Sequence, residues 1–337
     1  KGQGSTLTAN PFWYGHKPAL DEVDFKLITD TNAEVQAMRD GTVDAINPTF
    51  RSNLTQLKGV SGITYNQVTG LYQEHIDIQF GPKGNPLLRA PWFRQSLMMG
   101  IDRAAIIKTV YGPLAGNTIP LNSLIYYQSD PAYRPDFKRW NFNPGKALAL
   151  LKEHCTGGPT SVSANNSSSW TCGGYPAQVR YTWTASVATR TTQEAIIKQQ
   201  LKSIGIDVTE APLSANVIFA PAGLPSGDYD LANFAWVTGA DPSGYVPTWS
   251  CGGLSNYLNY CNRAVTRLLA ASNSELDPAK RTKLLQQADA LLANDVPAIP
   301  MYSRPTPLIW RSNVLGMKNN ASLTGFAWNI EDWKWTS

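Results

Sequence analysis

The residues best suited to hold a ligand are concentrated in the segment Leu231–Asn262. This segment contains six aromatic residues and one charged residue, although the 16% charged content of the chain predicts about five. Aromatic faces stack on sugars and on peptide side chains, and concave ligand sites are commonly lined by rings with a few polar groups. The alternative interpretation is a loop that packs against its own domain. The candidates for ligand contact in this segment are Trp236, Asp241, Tyr245, Trp249 and Tyr257.

Two charged residues could give such a site polar specificity. Asp241 precedes Pro242, so it either starts a turn, a position that Asp favours, or receives an ammonium or hydroxyl group of a ligand. Arg190 stands just before a predicted helix, where it is either a solvated surface residue or the partner of a ligand carboxylate.

Signatures of catalysis are missing from the sequence. It contains no GxSxG elbow, HExxH helix or Walker loop, and its three histidines stand far apart. The net charge of +4 is not concentrated in any run of Lys or Arg, which argues against nucleic-acid binding. The sequence therefore predicts a binding protein rather than an enzyme, with no cofactor and no nucleic-acid partner.

The four cysteines form two sequence-local pairs, Cys155 with Cys172 and Cys251 with Cys261. Neither pair has C-x-x-C spacing, which argues against a metal site. Two loop-closing disulfides are predicted, the first around a surface loop at 155–177, and they imply an oxidising, extracytoplasmic compartment. Four free thiols are the alternative.

Alternating strands and helices must position these side chains. Val23–Ile28 alternates in polarity and is predicted to be a strand. The capping-box pattern Thr31–Glu34 predicts the start of a helix, and Gly41 predicts its end. With a second strand predicted at Val43–Ile46, this order is typical of an α/β layer.

The aromatic segment itself begins on a predicted strand, Tyr229–Trp236, and another strand is predicted at Gln178–Trp183. A helix is predicted from Thr191 onward. The clearest helix begins after Asp277 and ends before Pro297, because leucines and alanines recur in it at core spacing.

Three blocks of sequence, spread along nearly the whole chain, carry a family resemblance. The first block comprises Asn10–Leu20, Val23–Ile28 and Met38–Asp44, the second Trp92–Leu97 and Gly100–Ile107, and the third Gln199–Ile206 and Pro297–Tyr302. In order and spacing these blocks resemble the extracellular solute-binding proteins of family 5, the dipeptide- and oligopeptide-binding class that serves bacterial ABC importers.

The resemblance implies an α/β fold with lobes similar to type II periplasmic binding proteins, in which mixed sheets are flanked by helices. Family members begin with a long N-terminal section that this sequence lacks, so the sequence resembles the C-terminal part of a longer protein. Residues 1–82 and 298–337 would then belong to an incomplete first lobe. Residues 83–297 would form an entire second lobe that faces the ligand.

The resemblance also implies a function. The implied protein is a monomeric subunit that acts outside the cytoplasm and is lipid-anchored in its full-length form. It would capture a small peptide, an oligosaccharide or another polar solute between two lobes. The subunit would deliver its ligand, without chemistry, to an ABC permease in the membrane.

The resemblance carries over to the site only in part. In peptide-binding relatives a Trp ends a strand, and an Asp shortly after it holds the amino terminus of the ligand. Trp236 matches the Trp, but Gly239 stands where the Asp is expected, so either Asp241 substitutes or the ligand lacks an ammonium group. Arg190 lies near, but not at, the position where some relatives hold a ligand carboxylate.

Two other classes of function remain open from the sequence. A secreted hydrolase or carbohydrate-recognition module is one, and substrate turnover would distinguish the hydrolase from a binding protein. A ligand-sensing domain of a cytosolic regulator is the other, and it would contain four free thiols rather than two disulfides.

Overall fold

The chain folds into two compact units. The computed structural model describes residues 4–28, 30–48, 52–237, 239, 241–320 and 325–336. Unit 1 comprises Lys1–Leu71, Tyr111–Thr118 and Arg304–Ser337, and unit 2 comprises Tyr72–Val110 and Ile119–Ser303. The unit boundaries thus follow Leu71 and Ser303, whereas the predicted lobe boundaries follow residues 82 and 297.

Strands and helices alternate along the chain. The strands are β1 (Gly4–Thr8), β2 (Glu22–Lys26), β3 (Ala45–Ile46), β4 (Ile63–Ile78), β5 (Thr171–Cys172), β6 (Tyr175–Pro176), β7 (Gln178–Trp183), β8 (Asp207–Glu210), β9 (Leu231–Val237), β10 (Ala298–Arg311), β11 (Val314–Leu315) and β12 (Lys334–Trp335). The α-helices are α1 (Thr31–Asp40), α2 (Pro91–Gly100), α3 (Arg103–Tyr111), α4 (Pro144–His154), α5 (Ala188–Ser203), α6 (Val246–Trp249), α7 (Arg263–Ser274) and α8 (Pro278–Asp295).

A mixed sheet forms the framework of unit 2. β4 pairs with β9 in antiparallel orientation, and β7 pairs in parallel with both β9 and β8. β10 lies on the other side of β4, and within unit 1 its C-terminal end pairs with β3. Both β4 and β10 carry the chain from one unit to the other. The predicted α/β class, with mixed sheets flanked by helices, is confirmed.

Capping residues fix the helix ends close to the predicted positions. Asp277 is the N-cap of α8, because its carboxylate accepts hydrogen bonds from the backbone N–H groups that follow it. Gly41 ends α1 in the left-handed conformation, with φ of 76°. The prediction that Thr31 caps α1 is wrong by one residue, since the Asp30 carboxylate accepts the N–H of Ala33 at 2.8 Å.

Both predicted disulfides are present, so the alternative of four free thiols is wrong. Cys155 and Cys172 close the surface loop that the sequence predicts. Inside this loop the buried indole of Trp170 donates a hydrogen bond to the carbonyl of Ile204 at 2.7 Å, so the loop is tied to the end of α5. No helix in the described part of the chain has the length and apolar character needed to cross a bilayer.

Candidate ligand-binding surface

Cross-strand pairing between β4 and β9 assembles a row of rings on one face of the sheet. His75 lies opposite Phe234, and Gln73 lies opposite Trp236. The His75 ring meets Phe234 edge-on, with centroids 4.4 Å apart, and lies nearly parallel to Trp236 at 6.0 Å. Residues at alternate positions of a strand share a face, so this row follows from the register of the two strands.

Tyr257 extends this row from the loop between Cys251 and Cys261. Its ring lies 6.0 Å from Trp236, with 25° between the ring planes. Phe219 completes the group, at 6.3 Å from Tyr257 and 5.5 Å from Phe234. Phe219 is 49% exposed, and Trp236 and Tyr257 are half-buried. We call Phe219, Trp236 and Tyr257 the aromatic patch.

A buried hydrophobic cluster packs against the aromatic patch on the side away from solvent. Trp236 and Tyr257 pack against buried side chains of unit 2, which are Ile218, Leu224, Tyr229, Ala232 and Phe234. The buried Nε1 of Trp236 has no hydrogen-bond partner among the described residues. The patch therefore combines a firm apolar base with ring surface that remains accessible.

Polar side chains of β4 lie buried on the face of the sheet that carries these rings. Gln73, His75 and Asp77 alternate onto this face, Gln79 directly follows the strand, and each of the four side chains is at most 1% exposed. Nδ1 of His75 lies 3.0 Å from the carbonyl oxygen of Gln73, and because a carbonyl only accepts, this nitrogen is the donor. Nε2 of His75 lies 3.3 Å from Oδ1 of Asp77. The hydrogen bond from Nδ1 to the Gln73 carbonyl fixes the orientation of the His75 ring, whereas the 3.3 Å contact of Nε2 with Asp77 is not a hydrogen bond.

Tyr245 and Trp249 have a different environment from the aromatic patch. Tyr245 ends the short 3-10 helix Pro242–Tyr245, and its hydroxyl lies 2.9 Å from the hydroxyl of Tyr127. Trp249 lies in α6, and both side chains are buried. For these two rings the structure matches the packed-loop interpretation, because neither presents a face to solvent.

Asp241 is exposed and already engaged. Its Oδ1 accepts the backbone N–H of Ser243 at 2.7 Å, so it does start the turn at Pro242. The same oxygen accepts Nη2 of Arg281 from α8 at 2.7 Å. The hydrogen bond from Arg281 holds the pKa of the Asp241 carboxyl well below its usual range.

Arg190 lies on the opposite face of the sheet from the aromatic patch. Its Nε donates to Oε1 of Glu74 at 2.7 Å, and Asn233 Nδ2 donates to the same oxygen at 3.1 Å. Glu74 and Asn233 alternate with His75 and Phe234 along their strands, so they face the other way. The structure therefore does not bring Arg190 to Trp236.

Two expectations about Arg190 are wrong. It does not precede a helix, because α5 begins at Ala188, after the extended residue Val187 and without a side-chain cap. It is also not a solvated surface residue, since Glu74 neutralises it in the protein interior.

The chemistry available at this surface is that of binding. Stacking faces and an apolar base are present, and among the described residues no group of His, Cys, Asp or Glu is arranged to hold a metal ion.

Comparison with known proteins identifies the class to which this fold belongs. Residues 1–256 match the family described as bacterial extracellular solute-binding proteins, family 5 Middle. The chain belongs to this family. Family 5 proteins are extracytoplasmic binding proteins without enzymatic activity, which decides against the hydrolase alternative.

Family 5 relatives align over most of the chain at low identity. The oligopeptide-binding protein OppA of Mycobacterium tuberculosis H37Rv is 25% identical over 326 residues, which cover 96% of this chain and 52% of that protein. The dipeptide-binding protein DppE of Bacillus subtilis is 24% identical over 304 residues, which cover 87% of this chain and 51% of that protein. The chain therefore spans about half the length of these family 5 relatives.

Solved structures of binding proteins share the fold. The periplasmic EDTA-binding protein EppA superposes with a TM-score of 0.85 at 20% identity, covering 100% of this chain and 62% of that one. The oligopeptide-binding protein AppA of Bacillus subtilis, in complex with a nonapeptide, superposes with a TM-score of 0.78 at 20% identity, covering 100% of this chain and 65% of that one. The predicted likeness to periplasmic binding proteins is confirmed.

Proposed function

We propose that this family 5 protein is the peptide-capturing subunit of an ABC importer and that the aromatic patch contacts the ligand. The observation that carries the proposal is the accessible ring surface that Phe219 and Tyr257, on loops of unit 2, form together with Trp236 of β9. OppA and DppE are named as peptide-binding proteins, and AppA was solved with a nonapeptide, which supports a peptide ligand.

The predicted site residues divide into different roles under this proposal. Trp236 and Tyr257 stack on apolar or aromatic side chains of the peptide, and Tyr245 and Trp249 support the loop from inside. Asp241 can receive a ligand ammonium group at Oδ2, because Ser243 and Arg281 both bond to its Oδ1. Arg190 holds the sheet together through Glu74 and meets no ligand directly.

The mechanism that we propose for the whole protein is closure of two lobes on the peptide. The lobes are those predicted at 1–82 with 298–337 and at 83–297, and contacts of the ligand with both would stabilise the closed state. Unit 1 contains a groove of about 600 Å³ lined by residues on either side of α1, among them Phe25, Ala45 and Trp333.

The same proposal includes the setting of the protein. It acts as a monomer outside the cytoplasmic membrane, held there by a lipid anchor in the whole protein, and passes the peptide to a membrane permease.

Peptide titration of single-ring variants tests the role of the aromatic patch. We expect tripeptides with a central Phe or Leu to bind the wild-type chain, and Trp236→Ala and Tyr257→Ala to weaken binding at least tenfold, or about 1.4 kcal/mol. Tyr175→Ala is the matched control, because Tyr175 is also an exposed ring of unit 2 but lies on β6.

Calorimetry or ¹⁵N NMR titration measures these affinities, the latter also in the millimolar range. Equal losses in all three variants, or binding of oligosaccharides in place of peptides, would contradict the proposal.

A further inference from the structure

The loop between Cys251 and Cys261 carries Tyr257 without help from regular secondary structure. Its chain follows successive turns, and its fold rests on side-chain amides. Asn256 donates to the carbonyls of Ser250 and Tyr260 at 2.8 and 2.6 Å, and its Oδ1 accepts the N–H of Tyr260 at 3.0 Å. The disulfide closes the base of this loop.

The side of the loop that carries Tyr257 is tied to the end of β4. Nε2 of Gln79 donates to the carbonyl oxygen of Tyr257 at 3.1 Å, and the N–H of Phe80 donates to the carbonyl of Leu258 at 2.8 Å. Asn259 donates to Oε1 of Gln79 at 2.9 Å. Gln79 is almost fully buried and Asn259 is exposed, so this attachment links the interior of unit 2 to the surface loop.

These hydrogen bonds involve Gln79 and Phe80, the two residues that directly follow β4, the strand that also supports Trp236. Within β4, Gln73 and His75 lie opposite Trp236 and Phe234, and the His75 ring lies nearly parallel to Trp236. Strand pairing therefore sets the position of Trp236, and the Gln79 side chain just beyond the strand sets that of Tyr257.

We infer that Gln79 and the Cys251–Cys261 disulfide are positioning elements that hold Tyr257 against Trp236 and so fix the shape of the aromatic patch. This inference rests on the proposed function for its consequence in binding. With centroids 6.0 Å apart, the two rings leave no room for a third ring between them, which would need roughly 7 Å at contact distances of about 3.5 Å. A ligand side chain can therefore stack on the solvent-facing surfaces of Trp236 and Tyr257, but it cannot insert between the two rings.

A preorganised patch should bind its ligand more tightly than a mobile one, because ordering the Tyr257 loop on binding would consume part of the interaction free energy. We expect Cys251→Ser/Cys261→Ser to weaken tripeptide binding about tenfold while the far-ultraviolet circular dichroism stays unchanged. Cys155→Ser/Cys172→Ser is the matched control, because it removes a disulfide from a loop of unit 2 that does not carry a ring of the patch.

A ligand-independent readout separates this inference from the proposed function. In fluorotryptophan-labelled protein, the ¹⁹F resonance of Trp236, assigned with Trp236→Phe, should shift when the Cys251–Cys261 pair is removed and stay in place when the Cys155–Cys172 pair is removed. If no peptide binds the wild type, the proposed function fails, and the resonance still tests the positioning.

Gln79→Glu provides the second variant in case the double cysteine variant does not fold. Glutamate retains an oxygen for Gly81 and Asn259 but cannot donate to the carbonyl of Tyr257. We expect the Trp236 resonance to shift in this variant as well. A resonance that stays unchanged in Gln79→Glu, or that shifts equally in the Cys155–Cys172 control, would overturn the inference.

Discussion

At the scale of single residues, the pairing of Arg190 with Glu74 links α5 to β4 inside unit 2. The two side chains are almost fully buried, and Nη1 of Arg190 also donates to the hydroxyl of Thr184 at 3.2 Å. A buried ion pair adds little stability relative to apolar replacements, but removal of one partner leaves an uncompensated charge in a low-dielectric interior. This asymmetry makes the pair testable.

Arg190→Met is expected to lower the free energy of unfolding by about 3–5 kcal/mol, because it leaves the buried Glu74 carboxylate without an opposite charge. Glu74→Gln in the same chain should recover part of this loss. Urea denaturation measures both, with Lys198→Met as the control, since the exposed Lys198–Glu210 pair should contribute at most about 1 kcal/mol. Similar losses for the buried and the exposed pair would contradict this account.

The residues of the site were only partly predictable. Ring density singles out Leu231–Asn262, which contains Trp236 and Tyr257, but the composition of a segment does not indicate which rings face solvent. Phe219 and His75 gave no local signal, because only the strand register and the fold of the chain bring them to Trp236. The partner of Arg190 is likewise remote in sequence, so its burial could not be read locally.

At the scale of elements, α8 combines an apolar stripe with one buried acid. Leu285, Ala288 and Leu292 lie in this stripe as predicted, and Asp289 lies beside them with its Oδ1 accepting the N–H of Leu124 at 2.9 Å. Burial raises the pKa of the Asp289 carboxyl from 3.8 to about 7, with nearby donors opposing this rise.

This raised pKa predicts that stability falls as the pH increases. Below about pH 4 the carboxyl is protonated in the folded and the unfolded chain, but between pH 4 and 7 the unfolded chain releases the proton first. The free energy of unfolding should therefore decrease by roughly 2–4 kcal/mol over this range.

Asp289→Asn should flatten this decrease in urea denaturation series at fixed pH. Asp277→Asn, which preserves a good N-cap at the start of the same helix, serves as the control. A decrease of the same size in Asp289→Asn would assign it to other groups.

The loop closed by Cys155 and Cys172 provides a second test at this scale. A Cβ atom on Gly158 would lie 1.9 Å from the indole of Trp170, whereas one on Gly145, at the start of α4, would meet nothing closer than 3.7 Å. Gly158→Ala should cost about 1–3 kcal/mol through overpacking, and Gly145→Ala should stabilise the chain by up to about 1 kcal/mol. Thermal unfolding measures both shifts, and effects of the same sign would contradict the packing argument.

Elements with strong local signals were predicted well. α8, β7 and β9 have clear periodicity or caps, and their structural bounds lie close to the predicted ones. The residue pattern predicts two separate strands here, Ile63–Gln67 and Leu71–Phe80, but β4 is one strand from Ile63 to Ile78 that continues through Gly70. Neighbouring strands decide such continuity, and no local pattern encodes them.

At the scale of the whole molecule, a length of 337 residues is typical of about two domains, and the structure has two compact units. Their boundaries depend on long-range packing, so the sequence could not define them. Several large apolar side chains of unit 1 are exposed to solvent. Phe12 and Tyr14 are each 90% exposed, and Leu27 and Trp335 are exposed beside the groove.

This surface predicts binding of the dye ANS to the folded chain, because large exposed apolar patches bind apolar molecules. Leu27→Glu combined with Trp335→Glu should remove at least half of the fluorescence enhancement. Leu254→Glu with Leu276→Glu is the matched control, since these leucines of unit 2 are almost fully exposed and do not line the groove. Fluorescence titration measures the enhancement in each variant. An equal loss of enhancement in both double variants would show that the dye does not bind at the groove of unit 1.

The connections through β4 and β10 also set the order in which the units can be completed during translation. Unit 2 is supplied by residues 72–303, with a short interruption at 111–118, whereas unit 1 needs the segment that starts at Arg304. A ribosome therefore delivers all of unit 2 before it delivers the strands that finish unit 1, and domains generally fold as units while the chain is synthesised. Unit 2, which carries the aromatic patch, can therefore fold first. The N-terminal segment of unit 1 can complete its fold only after the segment that starts at Arg304 has been synthesised.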